Sequence, residues 1–466
     1  MRALMRVDGR FALVGATAGG AALTGLAYWP GLMTWDPVRQ YGEALTGQIT
    51  DWHPPAMAWV WRRLLMLDHG PAPMLLLQLL LFWGGLALLA LAVRREARPR
   101  LAWALLACGL WPPALALTGA ILKDCLMTGA ILVAVGLLAG RRDGDGPGRS
   151  ITAALFLLFA ATLRFNAFLA CLPLGVALLP LRWRSGAPRL LLASVAVVLP
   201  LVAALPVANR LIGAEPSGVE LSLVIFDLGG ITEHAGIDVF PADIAVRDPV
   251  AVNHRCYSPN KWDSYSDWVE PECPLGFTAW NDNVDPAEVR PYPYLLRAIL
   301  AHPLAYAEHR LSHFAINTRV LPLPDAVERP VPHQSAPNRW GFTVRPNPLL
   351  KALDAAALAT AHTPLGWPIV AIAVALGAAL VGAGLPGARL IVPVALSAAL
   401  YGLGYGVFSV ASELRYHLWT QLGALMAAVL VAGDLFAGAR VHRWKLTAAA
   451  VLVLFSITGG FAGRLY

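Results

Sequence analysis

The chain has 466 residues, of which 57% are hydrophobic and only 14% are charged, with a mean hydropathy of +0.58. Soluble domains have about a quarter of their residues charged, so this composition excludes a soluble globular enzyme, and five cysteines in this length exclude a disulfide-rich scaffold. The net charge of +7 is segregated, because 213–365 holds 18 of the 29 acidic residues. This pattern indicates membrane orientation rather than nucleic-acid binding, and we predict an all-α integral membrane protein.

Apolar runs predict about eleven transmembrane helices. A helix needs roughly 20 apolar residues to cross a bilayer. Segment 151–181 is too short for two full spans, yet it carries Arg164 at its middle, so we predict a short helical hairpin with Arg164 at the turn. The other predicted spans lie near 11–29, 74–93, 101–118, 125–140, 190–212, 366–386, 389–408, 418–436 and 446–463.

Lysine and arginine in the short connections predict the orientation of these spans. One set of loops, which includes Arg94, Arg141, Arg184 and Arg440, holds most of the basic residues outside 213–365. All of these loops lie on one side only if 151–181 crosses twice. Because basic loops are retained in the cytoplasm, the N-terminus is predicted to be cytoplasmic.

This topology divides the chain into three predicted regions. They are an N-terminal transmembrane module, 1–212, with a first outer loop, 30–73; an outward-facing loop domain, 213–365; and C-terminal transmembrane helices, 366–466. The loop domain contains Cys256 and Cys273, the two cysteines outside the apolar spans. On an oxidising face we expect a disulfide between them, with two free thiols as the alternative.

Ionisable residues interrupt the apolar sequence in four regions that face outward on this topology. Polar groups are costly near a membrane, so those that persist there are candidates for function. The candidates are Asp36, Asp51 and His53 in the first outer loop, Lys123 and Asp124, Arg164, and finally Glu413, Arg415 and Tyr416.

Each candidate also has a purely structural interpretation. Asp36 suits the N-cap of a helix that begins at Pro37. The other structural interpretations are a turn at His53, a solvated loop at Lys123 and Asp124, an Arg164 side chain that reaches lipid headgroups, and a surface pair of Glu413 and Arg415. Four independent interruptions on one side favour a shared site over these separate explanations.

Transfer from a lipid-linked phosphate needs this combination of residues. A carboxylate accepts the proton of an attacking hydroxyl, and Asp36 suits that role. Cations hold the phosphate and stabilise the leaving charge, a role for Lys123, Arg164 and Arg415, to which His53 could contribute. The nearby rings of Trp35, Trp52 and Tyr41 could contact a sugar.

The order of these motifs resembles the GT-C superfamily of membrane glycosyltransferases. The pattern of an early outer-loop Asp36 followed by His53-Pro54-Pro55 is similar to that of protein O-mannosyltransferases and bacterial polyprenyl-phosphate-sugar-dependent glycosyltransferases. Arg415-Tyr416 is similar to an Arg-Tyr element at the outer end of a late span in that family. The family's common Asp-Glu pair is Asp36-Pro37 here.

The resemblance implies an inverting transfer with Asp36 as the general base and a polyprenyl-phosphate sugar as donor. It further implies a multi-pass protein of the bacterial cytoplasmic (inner) membrane with an extracytoplasmic active site and a glycan, lipid or protein acceptor. We expect no metal cofactor, although Asp36, Asp51 and His53 carry atoms that could bind Mg²⁺ or Mn²⁺.

Two other functions remain open from the sequence. An O-antigen polymerase or ligase-like enzyme would depend on basic residues of the large loop. A secondary transporter would place charges near the middle of the membrane and often has matching halves, whereas these charges lie near one boundary. The large-loop residues relevant to the first alternative are Arg255, His302, His309, Arg310 and His313.

Overall fold

The computed structural model describes residues 2–96, 98–142, 145–323 and 329–465. The chain is 70% helical, and its described residues contain no β-strand, only isolated bridges between single residues. The predicted all-α fold class is therefore confirmed.

The chain forms two compact units. The first comprises Met1–Glu215, Arg329–Leu403 and Leu414–Gly459. The second comprises Pro216–Glu328, Gly404–Glu413 and Gly460–Tyr466. The outward-facing position of the loop domain 213–365 stays a prediction. The last part of this predicted domain, from Arg329 onward, packs within the first unit.

The described residues of the first half of the chain form ten α-helices. They are α1 (Arg2–Tyr28), α2 (Trp35–Thr46), α3 (Ala56–Leu64), α4 (Ala72–Arg95), α5 (Pro99–Ala107), α6 (Pro112–Gly119), α7 (Lys123–Ala139), α8 (Gly148–Ala161), α9 (Ala167–Leu178) and α10 (Ala187–Ile212).

Within the part of the second half that the structure describes there are ten more. They are α11 (Glu220–Ala235), α12 (Pro249–Cys256), α13 (Phe277–Asn283), α14 (Pro291–Ala301), α15 (Pro303–Asn317), α16 (Pro348–Ala361), α17 (Pro368–Gly382), α18 (Ala388–Phe408), α19 (Leu418–Phe436) and α20 (Arg443–Ala462).

A helix lies in every predicted span, but the helices differ in length. Six helical segments of the described chain are long and apolar enough to cross a membrane, and α5 and α6, which meet at a 54° bend, make a seventh if they act as one span. The helices α7, α8, α9 and α17 have only 12 to 17 residues. The protein is thus a membrane protein, while eleven spans are more than helix length alone supports.

The predicted hairpin in 151–181 is present. Helix α8 ends at Ala161 and α9 begins at Ala167, which leaves Arg164 in the turn between them. At the other end of the hairpin, Arg141 Nη1 donates to the Leu178 carbonyl at 2.6 Å. The open end of the hairpin therefore contacts the segment that follows α7.

Glycines allow α4 and α7 to pack with their backbones close together. A methyl group added at Gly85 of α4 would lie 2.6 Å from Cβ of Leu132, and one added at Gly136 of α7 would lie 2.6 Å from Cβ of Leu88. Small residues at such positions are typical of closely packed membrane helices. This contact fixes α7, whose first residue is Lys123.

Two helices have large apolar surfaces that no other part of the described chain covers. Only 11% of the apolar window of α10 and 6% of that of α20 is buried. Exposed side chains on them include Leu191, Leu192, Leu454 and Phe455. Such surfaces are typical of contact with lipid.

A disulfide joins Cys256 and Cys273 in the second unit, as expected from the sequence. The three cysteines assigned to apolar spans, Cys108, Cys125 and Cys171, are all buried.

Candidate functional site

Asp36 lies in the first turn of α2 and does not cap it. Helix α2 begins at Trp35, two residues earlier than the Pro37 start that a capping role would need, and Thr34 occupies the N-cap. The interpretation of Asp36 as an N-cap is therefore wrong. Its carboxylate is instead directed to residues from distant parts of the chain.

Backbone pairing brings the first outer loop against the start of α7. Leu32 N–H donates to Gly119 O at 3.1 Å, and Ile121 N–H donates to Leu32 O at 2.8 Å. From α4, the buried Gln78 Nε2 donates to Thr118 O and Ala120 O, both at 2.7 Å. These bonds hold the segment immediately before Lys123 beside the segment immediately before Asp36.

Three basic side chains surround the Asp36 carboxylate. Lys123 Nζ lies 3.2 Å and Arg415 Nη1 lies 3.0 Å from Asp36 Oδ2. On the other oxygen, His53 Nε2 lies 3.8 Å from Oδ1. The Asp36 side chain retains 22% exposure, whereas the Lys123 and Arg415 side chains are mostly buried.

The contact between Lys123 and His53 determines the state of the imidazole. Lys123 Nζ lies 3.0 Å from His53 Nδ1. An ammonium can only donate, so Nδ1 must be the acceptor, and the ring hydrogen then lies on Nε2, which faces Asp36. His53 is therefore neutral in this arrangement.

The pKa values follow from burial and from these charges. For His53, burial together with the charge of Lys123 lowers the pKa to about 3, against the opposing effect of Asp36. For Asp36, burial raises the pKa, but the charges of Arg415 and Lys123 hold it well below its ordinary value. Asp36 is ionised and His53 is uncharged near neutral pH, so His53 does not serve as one of the cations of the site.

A second ion pair adjoins the first. Arg164, in the turn of the hairpin, pairs with Asp124, whose side chain is 1% exposed. The guanidinium carbon of Arg164 lies 4.1 Å from the ring centroid of Tyr416, and that of Arg415 lies 5.4 Å from the same ring. The interpretation of Asp124 as part of a solvated loop is therefore wrong, and so is the interpretation of Arg164 as a side chain that reaches lipid headgroups.

The other two acidic candidates, Asp51 and Glu413, lie in different units of the structure. Asp51 N–H donates to Glu215 O at 3.0 Å, and Glu215 N–H donates to Ile49 O at 2.9 Å, which anchors the loop that carries His53. Glu413 belongs to the second unit. The substrate-binding roles of both acids stay predictions.

The aromatic residues near Asp36 are not equally available to a ligand. The Trp35 side chain is 68% exposed. Tyr41 is buried and packs against Trp61 and Trp340, with ring centroids 5.2 and 4.8 Å away. The expectation that Tyr41 contacts a sugar is therefore wrong, and Trp35 is the exposed ring beside Asp36.

Two positioning residues were missed from the sequence. Gln78 is a single polar residue in an apolar run. Its position within a predicted span is the signal that could have identified it. Trp340 lies far along the chain, in the segment assigned to the outer-loop domain, and its packing on Tyr41 had no local signal.

The large-loop histidines form a buried network within the second unit. His309 Nε2 lies 3.1 Å from Asp227 Oδ1, its Nδ1 lies 2.9 Å from the Tyr257 hydroxyl, and Arg310 also pairs with Asp227. His309 and His313 have no exposed surface. His309 and Arg310 are thus both engaged by Asp227 within this unit.

The candidate cluster is a poor match for a metal site. Among the residues that the structure describes, no group of three His, Cys, Asp or Glu side chains is placed to hold a metal ion. The Lys123 ammonium lies between Asp36 and His53. A metal ion bound to both of these residues would compete with the ammonium for the same position.

Comparison with known proteins does not identify a family. No protein-family description matches the chain, and no curated protein matches it either.

Proposed function

We propose that the protein is a membrane glycosyltransferase that moves a sugar from a polyprenyl-phosphate donor to a hydroxyl acceptor. The observation that supports it is the convergence of Asp36, His53, Lys123 and Arg415 from three distant segments of an apolar protein. Buried charges are costly in such a chain unless they are paired and used. The motif resemblance to the GT-C superfamily points to the same activity.

The charge of the cluster suits a phosphate. Lys123, Arg164 and Arg415 outnumber Asp36 and Asp124 by one positive charge, and the two arginines share contact with Tyr416. A donor phosphate would bind where this excess lies, and guanidinium groups can grip two of its oxygens.

Donor binding would also activate the base. In the free protein, Lys123 and Arg415 hold the Asp36 pKa low, which makes the carboxylate a weak base. A phosphate that draws these cations away would raise the pKa. The acceptor oxygen then attacks the anomeric carbon as its proton moves to Asp36, the bond from that carbon to the phosphate oxygen breaks, and polyprenyl phosphate leaves with inversion.

The proposal includes the predicted topology. The four short helices would complete about eleven spans by crossing a thinned or partly protein-filled part of the bilayer. The N-terminus would lie in the cytoplasm, and the Asp36 cluster would open to the extracytoplasmic side of a bacterial inner membrane. The disulfide in the second unit supports an oxidising location for that unit.

Donor turnover tests the proposal. Purified protein is incubated with a panel of radiolabelled polyprenyl-phosphate sugars, and release of polyprenyl phosphate is followed. We expect release by the wild type and a large rise in donor KM for Arg415→Gln, because Arg415 lines the cluster. The matched control is Arg255→Ala, an exposed arginine of the second unit, which should keep full activity.

Other outcomes identify the alternatives. Loss of glycan-joining activity in Arg255→Ala with full activity in Arg415→Gln would favour a polymerase or ligase-like enzyme. Absence of release across the panel, with solute accumulation in vesicles, would favour a transporter.

A further inference from the structure

A cavity of about 670 Å³ lies in the first unit at the opposite end of α7 from the Asp36 cluster. Leu138 and Ala139, at the end of this 17-residue helix, line it, whereas Lys123 begins the helix. At about 1.5 Å per residue the two sites are roughly 25 Å apart. The cavity is therefore separate from the candidate active site.

Arginine dominates the charged lining of this cavity. Five arginines, four from three connecting segments and one from the first turn of α18, contribute, against Glu96, Asp145 and Asp434. The arginines are Arg98, Arg141, Arg142, Arg184 and Arg389.

The acidic residues neutralise only part of this charge. Asp434 pairs with Arg98 at 2.7 Å, and its other oxygen accepts from Gly387 N–H at 2.7 Å. Asp145 accepts from the Arg142 backbone N–H at 3.0 Å and lies 3.9 Å from Arg149, outside the lining. Glu96 is exposed to solvent.

Arg184 gives the clearest indication that the cavity binds an anion. Its Nε atom is buried, and no acceptor of the described chain lies within hydrogen-bond reach; the same holds for Nη2 of Arg98. Burial and the nearby charges of Arg141 and Arg389 lower the pKa of the Arg184 guanidinium. Three like charges that repel one another around a cavity are stabilised when an anion lies between them.

We propose that this cavity binds a phosphate group, carried by an anionic phospholipid headgroup or by a soluble phosphate compound. Guanidinium groups prefer phosphate oxygens, and basic pockets between membrane helices bind phospholipid headgroups. Apolar side chains of Leu101, Ile391 and Leu430 also line the cavity. They would contact the glycerol or acyl part of a lipid.

Binding to the purified full-length protein in detergent tests this proposal without any assay of catalysis. The probes are phosphatidylglycerol, phosphatidylcholine and inorganic pyrophosphate, and the readouts are the Kd and the shift in thermal unfolding temperature. We expect phosphatidylglycerol or pyrophosphate to bind, phosphatidylcholine not to, and Arg184→Gln to weaken binding by about tenfold or more.

The matched control is Arg182→Gln, an exposed arginine two residues away that does not line the cavity. It should bind as the wild type does, and Arg141→Gln should behave like Arg184→Gln. Unfolding of each variant without ligand checks that it is folded. Phosphatidylglycerol binding that pyrophosphate does not displace identifies a lipid, and binding of pyrophosphate alone identifies a soluble compound.

Two results would overturn the proposal. One is binding of neither phosphate probe. The other is equal weakening by Arg182→Gln and Arg184→Gln, which would show general attraction to a basic surface and no defined site.

Discussion

Lys123 connects the acidic and the imidazole groups of the candidate site. Its ammonium lies 3.2 Å from Asp36 Oδ2 and 3.0 Å from His53 Nδ1. Because one cation makes both contacts, the ionisation of Asp36 and the neutrality of His53 depend on each other. Substitution of any one of the three residues should therefore alter the ionisation of the other two.

The neutral His53 predicts an acid-sensitive fold. Its pKa is about 3 in the folded protein and about 6.5 in an unfolded chain. Between these values the unfolded state binds one more proton, so stability falls as pH falls below about 6.5, by about 2 kcal/mol at pH 5. Asp36, whose pKa lies well below its ordinary value, stays charged in this window.

The measurement is thermal unfolding in detergent at pH 7 and pH 5. In His53→Asn the amide oxygen can still accept from Lys123 but does not titrate, so this variant should lose less stability than the wild type. His69→Asn, at an exposed histidine, controls for removal of a histidine. Parallel pH curves for wild type and His53→Asn would contradict a neutral, buried His53.

At the scale of elements, the contact between α4 and α7 determines where Lys123 lies. We expect Gly85→Val to destabilise the protein by about 1–3 kcal/mol, because its side chain would overlap Leu132 on α7. Gly84→Val is a close control, since Gly84 is the preceding residue of the same helix and has no atom within 4 Å of an added methyl group. Thermal unfolding of both variants checks the prediction, and equal effects would mean that Gly85 matters only through helix propensity.

Hydropathy predicts the helices well because lipid selects for long apolar runs. It located the hairpin turn at Arg164, since a charge in the middle of a 31-residue apolar segment marks a break. It did not predict the 54° bend between α5 and α6 or the shortness of α17, because apolar composition does not determine where a helix ends.

The site was only partly predictable for a related reason. Charged residues in apolar sequence identified Asp36, Lys123, Arg164 and Arg415 as candidates, because such residues are costly in membranes. Their pairing was not predictable, because the contact of Asp36 with Arg415 joins residues almost the whole chain apart. Burial of Tyr41 likewise depends on Trp340, which local sequence does not indicate.

At the scale of the whole molecule, the predicted orientation can be read from two positions in the first unit. Met66, between α3 and α4, is 84% exposed, and Trp183, between α9 and α10, is 58% exposed. On the proposed topology they lie on opposite sides of the membrane. The native cysteines are either buried or bridged, so they should contribute little background to thiol labelling.

We expect a membrane-impermeant maleimide to label Met66→Cys in cells with an intact inner membrane. Trp183→Cys should react only after that membrane is permeabilised. Labelling of both or neither in intact cells, or the reverse order, would contradict an outward-facing Asp36 cluster.

The most direct test of the account is a comparison of wild type with Asp36→Asn, in which donor binding and turnover are measured separately. Asparagine has a similar shape but cannot accept the proton, and it no longer neutralises Lys123 and Arg415. The account predicts that turnover falls by about 10²–10⁴ while the polyprenyl-phosphate sugar binds as tightly as before or more tightly. Two results would contradict the role of Asp36 as a general base that becomes active when the donor phosphate draws its cations away. One is unchanged turnover, and the other is loss of turnover together with loss of donor binding in a folded variant.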